Sequence, residues 1–348
     1  MKRIARMANH LKDQLLWYAL GAIVLGWVLG LIFPAFVKSN QGWLNTLVTV
    51  FVFFMIYPMM VNLDLTKIPG VFRKPKPIIM TIVYNFVITP ILSVLFVLLF
   101  IHNKDIALGF MLVMLIPGSS MSLGYTGLVE GSMEIATVAM GVLFVLIPFL
   151  LPLFLSLLGN AYNVSVPLGL LIQTVIIVLI VPMIAGDLTR RGIVRAKGKE
   201  AFNKVKPLFS FVTMATMLLM VALIFMLKAT SLLKEWHTVV NLALVTFVYL
   251  AIMFVLMTFL NKLLKINYQE HMAIAFLSTG KNNGTAIAIA MLAFSPLVAI
   301  PAAILPLFQI IFSIGYVYMA KTIRRFFGPG TGAGASSAPP APVGAKSK

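Results

Sequence analysis

Cysteine is absent from the 348 residues, and charged residues make up only 10% of them. Without thiols the chain cannot form disulfides, thiolate metal sites or a cysteine nucleophile. Apolar residues make up 61% of the chain, well above the roughly 45–50% that is usual in soluble domains. Most of this apolar surface must face lipid. The chain is therefore predicted to be a polytopic membrane protein embedded in the lipid bilayer.

Most of the charged residues are positive, with 27 lysines and arginines against nine acidic residues. Ten apolar stretches reach the roughly 20 residues that a bilayer requires. They run over 15–37, 43–63, 77–100, 106–128, 132–158, 166–187, 207–228, 238–260, 270–291 and 298–320. With a cytoplasmic N-terminus, 22 of the 27 positive residues lie on the cytoplasmic side and four on the opposite side. This asymmetry indicates that the positive charges orient the protein in the membrane and do not bind nucleic acid. It predicts a plasma-membrane protein with both termini cytoplasmic.

The number of stretches predicts an internal repeat. A division after the fifth gives two sets of five, and an odd number of spans per set places the sets in opposite orientations. We therefore predict an all-α polytopic membrane protein with ten transmembrane helices in two inverted five-helix repeats, 15–158 and 166–320, joined by an extracytoplasmic linker at 159–165. A cytoplasmic segment, 1–14, precedes them. The Gly-, Ala-, Pro- and Ser-rich tail, 321–348, is expected to be disordered and cytoplasmic.

The ninth stretch carries polar residues in the middle of an apolar span. Lys281 lies 11 residues after Glu270, or about 16 Å along a helix, which places it near the bilayer midplane. Gly280 and Gly284 weaken the helix on either side. A charge at this depth indicates a functional site, although a lysine that staples two helices is the alternative. The candidate binding residues of this stretch are Ser278, Thr279, Lys281, Asn282, Asn283 and Thr285.

The fourth stretch is interrupted in a similar way by "LIPGSSMSLG", residues 115–124. Its proline removes a backbone donor and its glycine loosens the turn, while a proline kink at a close helix crossing is the alternative. Because each interrupted stretch is the fourth of its half, we predict broken helices four and nine that cross near the midplane. Their half-helix N-termini would present partial positive charge to an anion. The candidate residues here are Pro117, Gly118, Ser119, Ser120 and Ser122.

The third stretch contains a lone amide, Asn85, in "YNFVITP". It is either a hydrogen-bonding contact between helices or a ligand, and we include it among the candidate binding residues.

Four segments in register resemble the bile acid:sodium symporter superfamily and the related arsenical-resistance-type arsenite permeases. They are "YPMMVNLDLTKI", "NFVITP", "PGSSMSLGYTGLVEG" and "GKNNGTAIAIA". The resemblance covers about residues 15–320. It implies a panel domain and a core domain, with spans four and nine crossing as broken helices in the core.

The departures from that family are informative. Where the sodium symporters have a glutamate and a glutamine, this chain has Leu277 or Ser278, depending on a gap, and Lys281. The resemblance therefore implies that most sodium ligands are lost. The arsenite permeases have a cysteine and a glutamate where this chain has Gly118 and Thr285, so capture of arsenite by a thiol is excluded.

These patterns predict a secondary transporter that moves a small organic anion by alternating access, with altered or lost sodium coupling. Lys281 would either replace a bound sodium ion or carry protons, so the coupling ion is left open between proton and sodium. The alternatives are metalloid efflux without the usual cysteine, a channel, and an enzyme in which Ser119 or Ser120 pairs with Lys281 as a nucleophile. No metal-binding, acyl-handling or phosphate-handling motif accompanies such a pair, so we predict a transporter without cofactor or metal.

Overall fold

The computed structural model describes residues 2–72, 74–161, 166–234 and 236–328, whose regular structure is helical. The first eight helices are α1 (Lys2–Asp13), α2 (Leu15–Ile32), α3 (Pro34–Ser39), α4 (Gln41–Val61), α5 (Pro75–Val83), α6 (Thr89–Phe100), α7 (Lys104–Leu115) and α8 (Ser120–Leu128). The others are α9 (Met133–Ala161), α10 (Leu168–Val175), α11 (Val181–Lys234), α12 (Trp236–Leu263), α13 (Tyr268–Thr279), α14 (Asn283–Ala293), α15 (Pro296–Tyr318) and α16 (Ala320–Phe327). A 3₁₀ segment, Leu65–Phe72, follows α4, and π-helical segments at Tyr84–Ile88 and Ile176–Ile180 join α5 to α6 and α10 to α11.

In the described part of the chain, seven helical stretches are long and apolar enough to cross a membrane. They are Leu15–Ile32, Gln41–Val61, Pro75–Phe100, Met133–Leu157, Leu168–Lys234, Trp236–Leu263 and Pro296–Tyr318. The protein is therefore an all-helical, multi-pass membrane protein. The fourth and ninth predicted spans are not among the seven because each is divided into two short helices, α7 with α8 and α13 with α14.

The basic connection between the sixth and seventh apolar stretches, 188–206, is predicted to be a loop because of its charge, but it is helical. It belongs to α11, which runs for 54 residues and is interrupted at Gly198, where φ is 80° and ψ is 166°. A glycine adopts this positive φ without a steric penalty, so the chain can turn there between two helical arms, 181–197 and 199–234. The predicted loop thus consists of the adjoining ends of the two helical arms of α11.

Close packing of α2 against α11 depends on two glycines. A Cβ atom at Gly26 would lie 2.0 Å from the backbone oxygen of Ala222, and one at Gly30 would lie 2.3 Å from that of Met226. The spacing of the two glycines, which predicts a close helix contact, therefore places α11 directly on α2. Helix α4 packs along α11 as well, whereas α7 and α14 pack against α15.

The first residues of the predicted disordered tail are ordered, which corrects the expected boundary at 321. They form α16, in which Ile323 is buried and Arg324 pairs with Glu130 at 2.6 Å. The Arg324 guanidinium also lies 4.6 Å from the ring centre of Tyr268, so apolar, ionic and cation–π contacts hold the helix in place. Residues 162–165 of the predicted linker and 329–348 of the predicted tail lie outside the described part of the chain.

Candidate functional site

The break between α7 and α8 lies directly against the break between α13 and α14. The Ser119 N–H donates to the carbonyl oxygen of Gly280 at 3.0 Å, and the Asn282 N–H donates to that of Pro117 at 2.9 Å. Together they form an isolated antiparallel β-bridge. The bridge satisfies backbone groups that would otherwise be unpaired where the helices stop. The expected crossing of the two interruptions is therefore present.

Two glycines allow the crossing to be this close. A Cβ atom at Gly118 would lie 2.8 Å from the backbone oxygen of Leu277. A Cβ atom at Gly280 would lie 2.3 Å from Ser122 Oγ, which donates a hydrogen bond of 3.0 Å to the Gly280 carbonyl. The absence of a side chain at both positions thus permits backbone contact as well as weakening the helices.

Two helix N-termini converge on the crossing. Ser119 is the N-cap of α8, and its Oγ accepts a hydrogen bond of 3.3 Å from the Met121 N–H. Asn282 is the N-cap of α14, and its Oδ1 accepts a hydrogen bond of 3.1 Å from the Thr285 N–H. The first turn of a helix carries partial positive charge, so the crossing is electrostatically suited to an anion.

Lys281 is buried at the crossing, with 1% of its surface exposed. Its Nζ donates to Asn85 Oδ1 at 2.9 Å. The orientation of that amide is fixed because Asn85 Nδ2 donates to Ser278 Oγ at 3.1 Å and to the Thr81 carbonyl at 2.9 Å. Within the described residues, no aspartate or glutamate pairs with Lys281. Its positive charge is thus stabilised by an amide dipole and not by a negative charge.

Asn85 lies in the π-helical segment Tyr84–Ile88, a feature that the sequence analysis did not anticipate. A π-helical turn shifts the side chains of a helix relative to the α-helical pattern, and such turns are frequent at functional sites. In this protein the π-helical turn coincides with the orientation of the Asn85 side-chain amide towards Lys281.

A second amide, Gln309 on α15, supports the other side of the break. Its Oε1 accepts a hydrogen bond of 3.1 Å from Asn283 Nδ2, and its Nε2 donates to the Lys281 carbonyl at 3.3 Å. Gln309 is 4% exposed. The sequence analysis missed this residue, although a lone polar side chain in an apolar span is the signal that identified Asn85.

Some polar groups at the crossing have weak partners or none within the protein. Asn282 Nδ2 donates to the thioether sulfur of Met59 at 2.9 Å, and sulfur is a weak acceptor. In the described part of the chain, Asn283 Oδ1 and Thr285 Oγ1 are buried without a hydrogen-bonding partner. Of these residues, Asn282 and Asn283 line a cavity and can meet a ligand there, whereas Thr285 is fully buried.

Two adjacent cavities lead to Asn282 and Asn283. The larger one, which we call the vestibule, has a volume of about 680 Å³ and extends from α1, the end of α4 and the middle of α11 inward to Asn282. The smaller one, the inner pocket, has a volume of about 70 Å³ and is lined by Ser119, Lys281, Asn282, Asn283 and other residues. Four of the twelve candidate residues therefore line one of these cavities.

The vestibule has a strongly positive lining. Five cations line it, against a single carboxylate, that of Asp64; they are Lys12, Lys67, Arg190, Lys199 and Lys206. Arg190 forms an ion pair with Asp64, so four positive charges of the lining are left without that compensation. This field attracts anions and repels cations.

The remaining candidate residues have less direct roles. The Thr279 hydroxyl donates to the Ala275 carbonyl of its own helix at 2.7 Å. The Ser119 hydroxyl caps α8 while the Lys281 ammonium donates to Asn85, so these two do not form the serine–lysine pair that an enzyme would need. Ser120 begins α8, and its side chain lies outside the described part of the structure. Among the described residues there is no group of three or more His, Cys, Asp or Glu side chains that could hold a metal ion.

Three relatives cover most of the chain. It is 27% identical over 306 residues to an uncharacterized transporter of Synechocystis, spanning 80% of this chain and 79% of the relative. It is 26% identical over 325 residues to the uncharacterized sodium-dependent transporter YocS of Bacillus subtilis, spanning 92% and 96%. It is also 28% identical over 235 residues to the arsenical-resistance protein Acr3 of Alkaliphilus metalliredigens, spanning 63% and 66%.

A family model gives the assignment. Residues 49–235, just over half of the chain, match the Sodium Bile acid symporter family. This match includes the first crossing segment and Asn85, and the relatives are named as transporters or as a resistance protein. The resemblance inferred from the sequence motifs is confirmed. The chain belongs to the sodium bile acid symporter family.

Proposed function

We propose that the protein is a secondary transporter that moves a small organic anion by alternating access. The observation that carries the proposal is the Lys281 ammonium, buried at the crossing without a protein carboxylate. An ion inside the membrane is costly to maintain. A bound anion would supply the missing charge, and the convergent N-termini of α8 and α14 would add donors and partial positive charge.

The coupling is proposed to differ from that of a sodium symporter. The Bacillus subtilis relative is named as sodium-dependent. In this chain the ammonium of Lys281, fixed by Asn85 Oδ1 at 2.9 Å, would take the place of a bound cation. Transport would then proceed without sodium. A second form of the same proposal has Lys281 release and regain a proton in each cycle, since burial away from water disfavours the charged form of an amine.

The architecture that we propose has ten spans. It adds two to the seven long stretches by counting α7 with α8, and α13 with α14, as one broken span each. It adds a third by dividing Leu168–Lys234 at Gly198. The spans would form two inverted repeats of five, with both termini cytoplasmic in the plasma membrane. The vestibule, bordered by α1 and the basic arms of α11, would then open to the cytoplasm.

This arrangement can be tested with single cysteines, because the chain has none. Asn40→Cys and Asn160→Cys should react with an impermeant thiol reagent added outside intact cells. Ala196→Cys should react only after the cells are opened. Reaction of Ala196→Cys from outside would reject the proposed orientation.

The second candidate function is efflux of a metalloid in the form of its neutral acid. The similarity to the arsenical-resistance protein favours it. Without cysteine, recognition would depend on the hydroxyl and amide groups at the crossing instead of a thiol. We place it second because neutral or soft metalloid species would leave the charge of Lys281 without a counter-charge.

A ligand screen separates the two functions. The melting temperature of the purified protein is measured with carboxylates, sulfonates and arsenite, each in sodium-free and sodium-containing buffer. A ligand that binds only the folded state stabilises it by about 2.7 kcal/mol at 100 times its dissociation constant. We expect an organic anion to stabilise the protein without sodium and then to show counterflow in proteoliposomes. Stabilisation by arsenite alone would support the second function.

A further inference from the structure

The vestibule and the inner pocket share part of their walls. Five residues line both cavities: Met59, Met121, Thr213, Met214 and Asn282. A side chain that lines two cavities lies between them. These five residues therefore form the wall between the vestibule and the inner pocket, where Lys281 lies, and three of them are methionines.

We propose that Met59, Met121 and Met214 form a methionine collar, which selects by width the part of an anion that reaches the inner pocket. This inference rests on the proposed function, because it concerns how the transported anion is recognised. The three methionines come from α4, α8 and α11, so three different helices contribute to the collar. Each side chain is half-buried, in keeping with a position at a cavity wall.

Methionine suits a constriction that must open and close. Its side chain is unbranched, has three rotatable bonds and adapts to irregular shapes. Met59 also has a specific contact, because its sulfur accepts the hydrogen bond from Asn282 Nδ2 at 2.9 Å. A carboxylate oxygen is a stronger acceptor than a thioether. An arriving carboxylate would take this hydrogen bond, so Met59 would be displaced when the head group enters.

The volumes define the class of anion. The inner pocket measures about 70 Å³ and the vestibule about 680 Å³. The inner pocket is thus about a tenth the size of the vestibule, so it suits the anionic head group of a substrate better than the whole molecule. The rest of the molecule would stay in the vestibule, with its first carbon atoms inside the collar. The collar therefore favours carboxylates that are unbranched next to the carboxyl group over those that are branched there.

Thiol labelling tests the collar without any substrate. Ser119→Cys places a thiol in the inner pocket, and Asn203→Cys places one in the vestibule. Each variant is treated with methyl methanethiosulfonate and with the wider benzyl methanethiosulfonate. We expect both reagents to modify Asn203→Cys at similar rates. At Ser119→Cys the benzyl reagent should react about tenfold more slowly than the methyl reagent, after correction for their rates with a free thiol.

Variants of the collar make the test specific. Met59→Ala or Met214→Ala, combined with Ser119→Cys, should remove most of this tenfold difference because the constriction widens. Met59→Leu keeps the volume and should preserve it. A cooperative melting transition close to that of the parent shows that each variant is folded, and the rates at Asn203→Cys show that access to the vestibule is unchanged. Equal rates of the two reagents at Ser119→Cys without any collar substitution, or no response to either alanine, would overturn the collar.

A second readout concerns selection itself. Straight-chain carboxylates should stabilise the wild type more than isomers branched next to the carboxyl group, and Met59→Ala should reduce that preference. An unchanged preference in Met59→Ala would overturn the role of the collar in selection. If no carboxylate stabilises any variant, the proposed function fails, and with it the proposal that the collar selects between carboxylates. The labelling rates would still show whether the constriction exists.

Discussion

Two cations lie along the same path, and the protein stabilises them in different ways. Arg190, in the wall of the vestibule, forms an ion pair with Asp64, and its guanidinium lies 5.3 Å from the ring centre of Phe202. Lys281, at the crossing, donates to Asn85 Oδ1, and no carboxylate in the described residues pairs with it. The charge of Arg190 is compensated within the protein, whereas that of Lys281 is not.

This difference indicates which cation is structural and which is functional. A paired charge near the membrane surface contributes to the fold, and its removal leaves the partner uncompensated. A charge that is buried deeper and has only an amide partner adds little stability, so its retention calls for another explanation. The explanation that we propose for Lys281 is the binding of an anionic substrate. The two residues should therefore respond to substitution in opposite ways.

Removing the charge of Lys281 should have the largest effect on function. Lys281→Met keeps much of the volume and deletes the ammonium, so we expect the affinity for the anion to fall about 100-fold, as for loss of a hydrogen bond to a charged group. The melting temperature should not fall, because an uncompensated buried charge is removed. Calorimetric titration and thermal unfolding of the same preparation measure both quantities.

Lys228→Met is the matched control for this substitution. Lys228 is also a lysine at a cavity wall, but its cavity of about 520 Å³ adjoins α3 and the start of α15 and not the crossing. Its replacement should leave anion affinity within about twofold of the wild type. A fully active Lys281→Met protein would show that the lysine only joins helices.

Breaking the ion pair of Arg190 should mainly affect stability. Asp64→Asn leaves the guanidinium, whose side chain is 14% exposed, without its carboxylate. The loss should be about 1–3 kcal/mol, the usual cost of an unsatisfied and partly buried group. Anion affinity should change far less than in Lys281→Met. Thermal unfolding and the same titration test this, and a loss of affinity without loss of stability would reverse the assignment.

The stability that the Arg190–Asp64 ion pair contributes should not depend on pH near neutrality. Burial raises the pKa of Asp64, but hydrogen bonds from Arg190 and Thr66, together with the charges of Arg190 and Lys67, outweigh it and lower the pKa to about 2. Because this is below the ordinary value of 3.8, the stabilisation is complete above about pH 4 and is lost as the pH falls towards 2. The difference in melting temperature between wild type and Asp64→Asn should therefore stay constant from pH 5 to 8. A difference that shrinks within this range would contradict the lowered pKa.

The smallest effect is expected for an exposed ion pair. Glu130 and Arg324 are 2.6 Å apart, but their side chains are 74% and 51% exposed. Exposed pairs typically contribute about 0.2–1 kcal/mol. Glu130→Gln should thus shift the melting temperature less than Asp64→Asn and leave anion affinity unchanged. A larger shift would mean that the docking of α16 depends chiefly on this pair.

The sequence predicted the crossing because local chemistry determines where these helices stop. Pro117 removes a backbone donor, and the glycines around Lys281 weaken the second helix, so the interruptions can be read directly. The depth of Lys281 follows from the rise per residue along its helix. The position of each break in the fourth span of its half predicted that the two breaks cross, and the resemblance to known transporters implied the same. The structure shows the crossing in atomic detail.

Other parts of the site depend on contacts between distant residues and could not be read in this way. Asn85 and Gln309 lie 196 and 28 residues from Lys281, and nothing in their neighbours specifies which groups their amides meet. The methionine collar is hidden for another reason, because methionine in an apolar span is ordinarily a packing residue. The helical arms beside Gly198 differ from the predicted loop at 188–206, because a highly charged composition masks their helical structure.

The most direct test of the central claim compares anion binding with and without sodium. The melting temperature of the wild type is titrated with the organic anion that stabilises it best, in sodium chloride and in choline chloride at equal ionic strength. If the Lys281 ammonium replaces a bound sodium ion, the two titrations should give the same dissociation constant. A dissociation constant at least about tenfold lower in sodium would show that a sodium ion, and not the lysine, supplies the charge for the anion.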